Sequence, residues 1–176
     1  VSQQYTLANL NAEEAVEQQK REERGGYPNG LNERCPILRT YAISPRICKS
    51  SDTFRFAVEY QYDEPDDFYI AIALHDIRRG GISYDTGMKT FKMKDHGHHV
   101  AVFDIPLNIF NNGEFRLIAS LRIPNPNDDQ QTDAVGVAVD ENACTFVIQD
   151  ERNRNYALLS DRALTMTQVD DSIINI

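Results

Sequence analysis

Three of the four histidines in this chain lie within five residues, in the run DHGHH at 95–99. Imidazole is a common ligand of zinc and other transition metals, so a metal site is the chemistry that this spacing could support. His98 and His99 are adjacent, however, and would point to opposite faces of a strand that begins there. No second cluster supplies further ligands, so we interpret the run as a solvated turn and predict no metal site.

Four carboxylates surround Pro65 in the sequence DEPDD. Asp63, Glu64, Asp66 and Asp67 offer the oxygen ligands that Ca²⁺ prefers, but they lack the Asp-x-Asp-x-Asp-Gly spacing of a calcium loop. Proline and a run of like charge favour a solvated turn between two strands. We therefore predict a hairpin tip here.

Other catalytic patterns also fail on spacing. Residues 81–90, GISYDTGMKT, superficially resemble a phosphate-binding loop, but five residues separate the two glycines and Met88 precedes Lys89. The chain has no GxSxG elbow, no HExxH and no cysteine with a motif-linked histidine. Its carboxylate pairs lie in polar loops, where nothing would raise a pKa. We expect a protein that is not an enzyme, with no catalytic residues and no cofactor.

The apolar and polar residues of this chain alternate in a way that predicts β-strands, and these strands must position any functional site. Residues 53–62 alternate strictly between apolar and polar positions, and residues 68–76 do so with Phe68, Ile70, Ile72 and Leu74 on one face. A period of two is typical of half-buried strands. Further strands are predicted at 37–43, 88–94, 100–105, 114–123, 134–139 and 143–149. Short strands separated by turns, with no core helices between them, predict an all-β antiparallel sandwich of immunoglobulin-like or jelly-roll type.

The sandwich is predicted to span residues 37–150, between two segments of different character. Residues 1–11 look extended, and a polar helix is expected from an Asn11–Glu14 capping box to Arg24, where Gly25 and Gly26 end it. Residues 1–36 are therefore interpreted as a helical connector. Residues 124–133 are predicted to be an exposed loop, and 151–176 an extension of uncertain structure.

Composition limits the function classes. The chain of 176 residues is 41% hydrophobic and 26% charged, with a net charge of −9. Such a surface repels phosphate backbones and anionic lipid, so we exclude nucleic acid as a partner. The chain has no apolar run near the roughly 20 residues of a membrane span, and its polar N-terminus is not a signal peptide. Because it begins with Val, we expect a piece of a longer or processed polypeptide.

Cysteine usage bears on the compartment. Cys35, Cys48 and Cys144 are an odd number at wide spacing, which favours free thiols in a reducing compartment. A Cys35–Cys48 bridge stays open as the alternative for an exported protein.

The outward faces of two strands carry the candidate site. One face of 68–76 presents Tyr69, two alanines and His75, and one face of 114–123 presents Arg116, Ser120 and Arg122 beside Ile118. Small residues flanked by a ring, an imidazole and guanidinium groups would form a shallow groove, which suits the C–H faces and hydroxyls of sugars. An ordinary solvated sheet face is the alternative, as is the opposite face with Arg55, Glu59 and Gln61.

The strand pattern resembles a known family. FRFAVEYQY, FYIAIALHDIRRGGISYDTG, HHVAVFDIPLNIFNNGEFRLIASL and ACTFVIQD are similar to the C-terminal domain of the Wzt-type nucleotide-binding subunit of polysaccharide ABC exporters. The resemblance covers about residues 37–150 and consists of sandwich positions. The chain departs from it at Glu114-Phe115, where the family has Gly followed by Tyr, and in the long tail after Asp150.

This resemblance implies a function. It implies a cytoplasmic domain at the inner face of the inner membrane that binds O-antigen polysaccharide at its non-reducing end and so confers specificity on export. It also implies a homodimer and partnership with the transmembrane subunit of the exporter. Two alternatives remain open, which are a structural or dimerisation module without its own ligand and an accessory carbohydrate-binding domain of a secreted glycan enzyme.

Overall fold

Two β-sheets pack face to face in this protein, and one long helix precedes them. The computed structural model describes residues 2–150 and 164–168, with side chains from residue 11 onwards and to residue 167. In chain order, the elements are α1 (Ser2–Glu23), β1 (Ile37–Ala42), β2 (Ile47–Cys48), β3 (Thr53–Tyr62), β4 (Tyr69–Asp76), β5 (Ile82–Asp85), β6 (Phe91–Lys92), β7 (Gly97–Pro106), β8 (Gly113–Asn125), β9 (Asp128–Ala138), β10 (Thr145–Ile148) and β11 (Thr165–Gln168).

The strands divide between the two layers. Within the described ranges, the first sheet has the order β1-β3-β7-β11, and the second has the order β2-β10-β8-β4-β5, with β6 beside β4 and β9 beside β8. Pairing is antiparallel except between β2 and β10, which run parallel. The predicted all-β sandwich is confirmed.

Aromatic rings fill the space between the sheets. Phe54 of the first sheet stacks on Phe146 of the second with centroids 4.4 Å apart, and both are fully buried. Tyr60 meets Phe68 edge-on at 5.6 Å in the same interlayer space. Such pairs contribute about 0.5–1.5 kcal/mol beyond the apolar area that they bury. The inward faces that the sequence predicted for β3 and β4 therefore form the core.

The long hairpin of β8 and β9 corrects one sequence prediction. Residues 124–133 are not a loop, because β8 continues to Asn125 and β9 begins at Asp128. Ile123 pairs with Asp133 and Pro124 with Thr132, so the hairpin extends beyond the end of β4. We call residues 128–133 of this extension the β9 arm. Prolines and acidic residues are poor strand formers, but cross-strand pairing outweighs that weak preference.

The run DHGHH is not a turn throughout, because β7 begins at Gly97 rather than at residue 100. His98 and His99 therefore lie in a strand that pairs with β3.

Other elements also differ in extent from the sequence prediction. The helix begins at Ser2 rather than near Asn11, so the proposed Asn11–Glu14 capping box lies inside the helix. Glutamine, leucine and alanine in residues 2–10 are good helix formers, which explains the earlier start. The strand predicted at 88–94 is reduced to β6, because only Phe91 and Lys92 pair with β4.

The helix ends where the sequence predicted. The amide of Gly26 donates to the carbonyl of Arg21 at 2.8 Å, and both Gly25 and Gly26 adopt positive φ angles. This is a Schellman end, which needs glycine in the left-handed conformation. Every side chain of the helix from Asn11 to Glu23 is exposed, so residues 11–23 contribute nothing to the core. None of the helices in the described ranges is long and apolar enough to cross a bilayer.

Part of the C-terminal extension belongs to the sandwich. Strand β11 pairs with β7, and Leu164 before it is buried in the core. The rest of the predicted extension lies outside the described residues. The three cysteines are free thiols, and burial raises the pKa of Cys35 to about 12. A thiol of that kind is inert at neutral pH.

A buried hydroxyl joins the two sheets at one edge. The hydroxyl of Thr40 on β1 donates to the carbonyl of Leu117 on β8 and accepts the amide of Cys144, both at 2.9 Å. Leu117 in turn donates its amide to the carbonyl of Cys144. Thr40 is buried, so its hydroxyl is shielded from water.

We expect Thr40→Val to lower the free energy of unfolding by about 2–4 kcal/mol, because it leaves the carbonyl of Leu117 and the amide of Cys144 without this partner. Urea denaturation measures the loss. Thr53→Val is the matched control, since Thr53 is exposed at the start of β3. Equal stabilities of the two variants would show that the hydroxyl bridge contributes nothing.

Candidate functional site

The five candidate residues lie on one face of two paired strands. Across β4 and β8, Tyr69 is opposite Arg122, Ala71 is opposite Ser120, and His75 is opposite Arg116. Cross-strand partners in a sheet point to the same side. The structure therefore places Tyr69, His75, Arg116, Ser120 and Arg122 together on the outer face of the second sheet.

This face is low in the middle and high at its ends. Ala71, Ala73 and Ser120 form the floor, and the pairs Tyr69–Arg122 and His75–Arg116 stand at either end. Six residue steps along β4 separate the two ends, which corresponds to about 20 Å. We call this surface the central trough.

Two apolar residues border the central trough. Ile118 lies opposite Ala73, and Val137 on β9 lies beside Ser120; both are half-buried. The sequence showed that Ile118 faces outward, but it did not show which residue of β9 would be next to Ser120. That position depends on the register of the β8–β9 hairpin.

One end of the central trough is built by contacts that the sequence did not predict. Arg122 donates through Nε to the hydroxyl of Thr132 at 2.8 Å and through Nη2 to the carbonyl of Thr132 at 2.9 Å. Lys89 donates to the carbonyl of Asp129 at 2.6 Å, and its ammonium lies 6.0 Å from the centroid of the Tyr69 ring. Arg122 therefore anchors the β9 arm beside Tyr69. The sequence did not identify Lys89 as part of this end of the trough, because Lys89 lies in a turn and not on either strand.

The other three candidates retain their hydrogen-bonding capacity. Within the described ranges, the side chains of His75, Arg116 and Ser120 make no hydrogen bond or ion pair with another residue. All three are partly exposed. An imidazole, a guanidinium and a hydroxyl thus face solvent above a floor of small residues, which is an arrangement that can take a ligand rich in hydroxyl groups.

The outer face of the first sheet is different, because its charges are already paired. Arg55 makes a bidentate contact with Asp104 at 2.7 and 2.9 Å, and Glu59 contacts both Arg39 and His98. Burial favours the neutral form of Glu59, but these two partners outweigh it and hold the pKa of its carboxyl below the usual range. This face, the alternative location for a site, offers fewer unused polar groups.

The motifs weighed as metal sites also form internal contacts. His98 contacts Glu59 at 2.7 Å, and His99 contacts the carbonyl of His96. Glu64 accepts hydrogen bonds from Arg34 and Tyr62, and Asp67 pairs with Lys92 at 3.2 Å. Among the residues that the structure describes, no three His, Cys, Asp or Glu side chains come together to hold a metal ion.

We expect Arg122→Ala to loosen the β9 arm, because it removes two hydrogen bonds to a buried threonine, and to lower stability by about 1–3 kcal/mol. Hydrogen exchange of the amides at 128–133 should become faster. Arg116→Ala is the control, since Arg116 has no partner side chain in the described ranges. Unchanged exchange in Arg122→Ala would contradict this anchoring role.

Two comparisons with known proteins found no match. No protein-family model matches the chain. No curated protein matches it either.

A solved structure does match. The crystal structure of the C-terminal domain of Wzt aligns with probability 1.00 and a TM-score of 0.52, over 77% of this chain and 89% of that one, at 11% sequence identity. At a sequence identity this low, the structural match shows a shared fold and nothing further. The resemblance predicted from the strand pattern is thus confirmed at the level of the fold, and the chain folds like the C-terminal domain of Wzt.

Proposed function

We propose that this chain is a non-catalytic carbohydrate-binding domain that recognises O-antigen polysaccharide at its non-reducing end. The observation that carries the proposal is the central trough, where His75, Arg116 and Ser120 have unused hydrogen-bonding groups above a floor of small residues. The fold shared with the C-terminal domain of Wzt supports the same class of function.

The chemistry of the central trough suits a sugar chain. The ring of Tyr69 can take the C–H face of a pyranose, and Ile118 and Val137 add apolar surface at the border of the trough. Arg116 and His75 can donate directional hydrogen bonds to hydroxyl oxygens at the opposite end. Arg122 has a positioning role, because its donors hold the arm that stands beside Tyr69.

The proposal extends to the setting of the domain. Binding would confer substrate specificity on an ABC exporter of polysaccharide, at the cytoplasmic face of the inner membrane. The exposed helix would be the connector to an ATPase domain, with residues 37–150 as the binding domain. Pairing of two such chains and contact with the transmembrane subunit of the exporter complete the proposal.

We expect Tyr69→Ala and Arg116→Ala each to weaken polysaccharide binding about tenfold, which corresponds to the loss of one stacking or one charged hydrogen-bond contact. Neither change should unfold the domain, because both side chains point away from the core. Isothermal calorimetry with purified O-polysaccharide measures the affinity, and circular dichroism checks the fold.

Tyr41→Ala is the matched control. Tyr41 lies in β1, on the first sheet, and is half-buried like Tyr69. Wild-type affinity in both trough variants would exclude the central trough as the site. The absence of any binding to polysaccharide, together with normal export by cells carrying the trough variants, would favour a structural or dimerisation module.

A further inference from the structure

A second concave site lies at the rim of the sandwich, where β4 ends. It is a cleft of about 330 Å³ between the turn that joins β4 to β5 and the segment that joins β7 to β8. We call it the rim cleft, and its lining residues are Asp76, Arg79, Gly80, Ile82, Ser83, Phe110, Asn111 and Phe115. Asp76 follows His75 directly but points to the opposite side of β4, and none of the five trough residues lines the rim cleft. Ile82 pairs with His75 across a β-bulge, so the rim cleft is a separate concavity that adjoins the His75 end of the central trough.

The wall of the rim cleft is preorganised by Asp76. This buried carboxylate accepts the amides of Arg78 and Arg79 through Oδ1 and the guanidinium of Arg79 through Oδ2, at 3.1, 2.9 and 3.0 Å. Burial alone would raise the pKa of Asp76, but these donors outweigh it and hold the pKa below the usual range. The turn is therefore held in one conformation before any ligand arrives.

Arg79 supplies donors without adding net charge. Its Nη1 is held by Asp76 and by the carbonyl of Asn112 at 3.3 Å, and its side chain is 58% exposed. Within the described ranges, its Nε and Nη2 have no partner. Because Asp76 offsets the positive charge, the arrangement favours an uncharged ligand rich in acceptor oxygens over a free anion.

Most of the remaining surface is apolar, and Ser83 and Asn111 add two polar side chains. Phe110 and Phe115 form the floor, and Ile82 stands at the mouth with 55% of its surface exposed. A Cβ atom added at Gly80 or Gly81 would meet nothing within 4 Å, so neither glycine is crowded by its surroundings. The volume lies at the lower end of the range for small-molecule sites and suits a single ring.

We infer that the rim cleft binds one neutral pyranoside, with vicinal hydroxyls on Arg79 and the C–H face of the ring against Ile82. Free donors, a neutral charge balance, an apolar wall and a ring-sized volume together point to this ligand class. The inference does not depend on polysaccharide binding in the central trough.

Titration of the labelled protein with a panel of methyl pyranosides, followed by ¹⁵N–¹H NMR, tests this inference. The panel contains the methyl glycosides of glucose, galactose, mannose, rhamnose and N-acetylglucosamine. We expect at least one of them to produce saturable shifts in the amides of Gly80, Gly81 and Asn111. Ile82→Ala should weaken that binding about threefold to tenfold through lost apolar contact.

Arg79→Lys provides the polar test. Lysine keeps the ion pair with Asp76 but lacks the additional guanidinium donors, so binding should weaken by about tenfold. Ile47→Ala is the matched control for Ile82→Ala. Ile47 is also an exposed isoleucine of the second sheet, but it lies at the opposite edge from Ile82. It should bind like the wild type.

Three results would overturn the inference. They are the absence of saturable shifts at these amides with every glycoside, equal binding by wild type, Ile82→Ala and Arg79→Lys, and saturable shifts with sodium phosphate alone. Shifts confined to Tyr69 and Ser120 would place sugar binding in the central trough only. Shifts at Gly80 and Gly81 that persist in Tyr69→Ala would support the rim cleft even if the central trough binds nothing.

Discussion

The pairing of β4 with β8 sets both the buried and the outer face of the second sheet. Eight consecutive residue pairs fix the register, from Tyr69 with Arg122 to Asp76 with Phe115. A slip of one residue would turn every side chain of one strand to the other side of the sheet. Fully buried residues such as Ile70, Ile72 and Leu117 oppose that slip, because it would expose them to water. The same register sets the composition of the central trough.

The packing of the core and the composition of the central trough therefore both follow from the register of β4 with β8. Inward positions of β4 and β8 meet the aromatic residues of the first sheet, where Phe54 stacks on Phe146 and Thr40 joins the sheets at one edge. Outward positions face away from that layer, and among them His75, Arg116 and Ser120 have side chains that make no hydrogen bond or ion pair in the described ranges. Polar side chains on the outer face leave the core undisturbed, since adjacent residues along a strand face opposite ways.

Predictions from the sequence were confirmed where apolar and polar residues alternate with a period of two. They were wrong where the local preference of residues for turns is outweighed by cross-strand pairing. The faces of 53–62 and 68–76, the free cysteines and the glycine end of the helix follow from side-chain type and spacing. Residues 124–133 look like a loop because proline, asparagine and aspartate favour turns, yet cross-strand pairing makes them an arm. The contact of Lys89 with Asp129 joins residues that are 40 positions apart, so no local pattern could predict it.

Alternation of apolar and polar residues is a local property, so the β-sandwich and the buried side of each long strand could be predicted from the amino-acid sequence alone. The sequence also identified Tyr69, His75, Arg116, Ser120 and Arg122 as outward-facing. The tertiary structure was needed to show that these five residues lie on one face of two paired strands, that Arg122 is engaged with Thr132, and that Asp76 and Arg79 border a cleft. The physical reason is that strand order, register and turn packing arise from contacts between residues far apart in the chain, whose energies no short stretch of sequence contains.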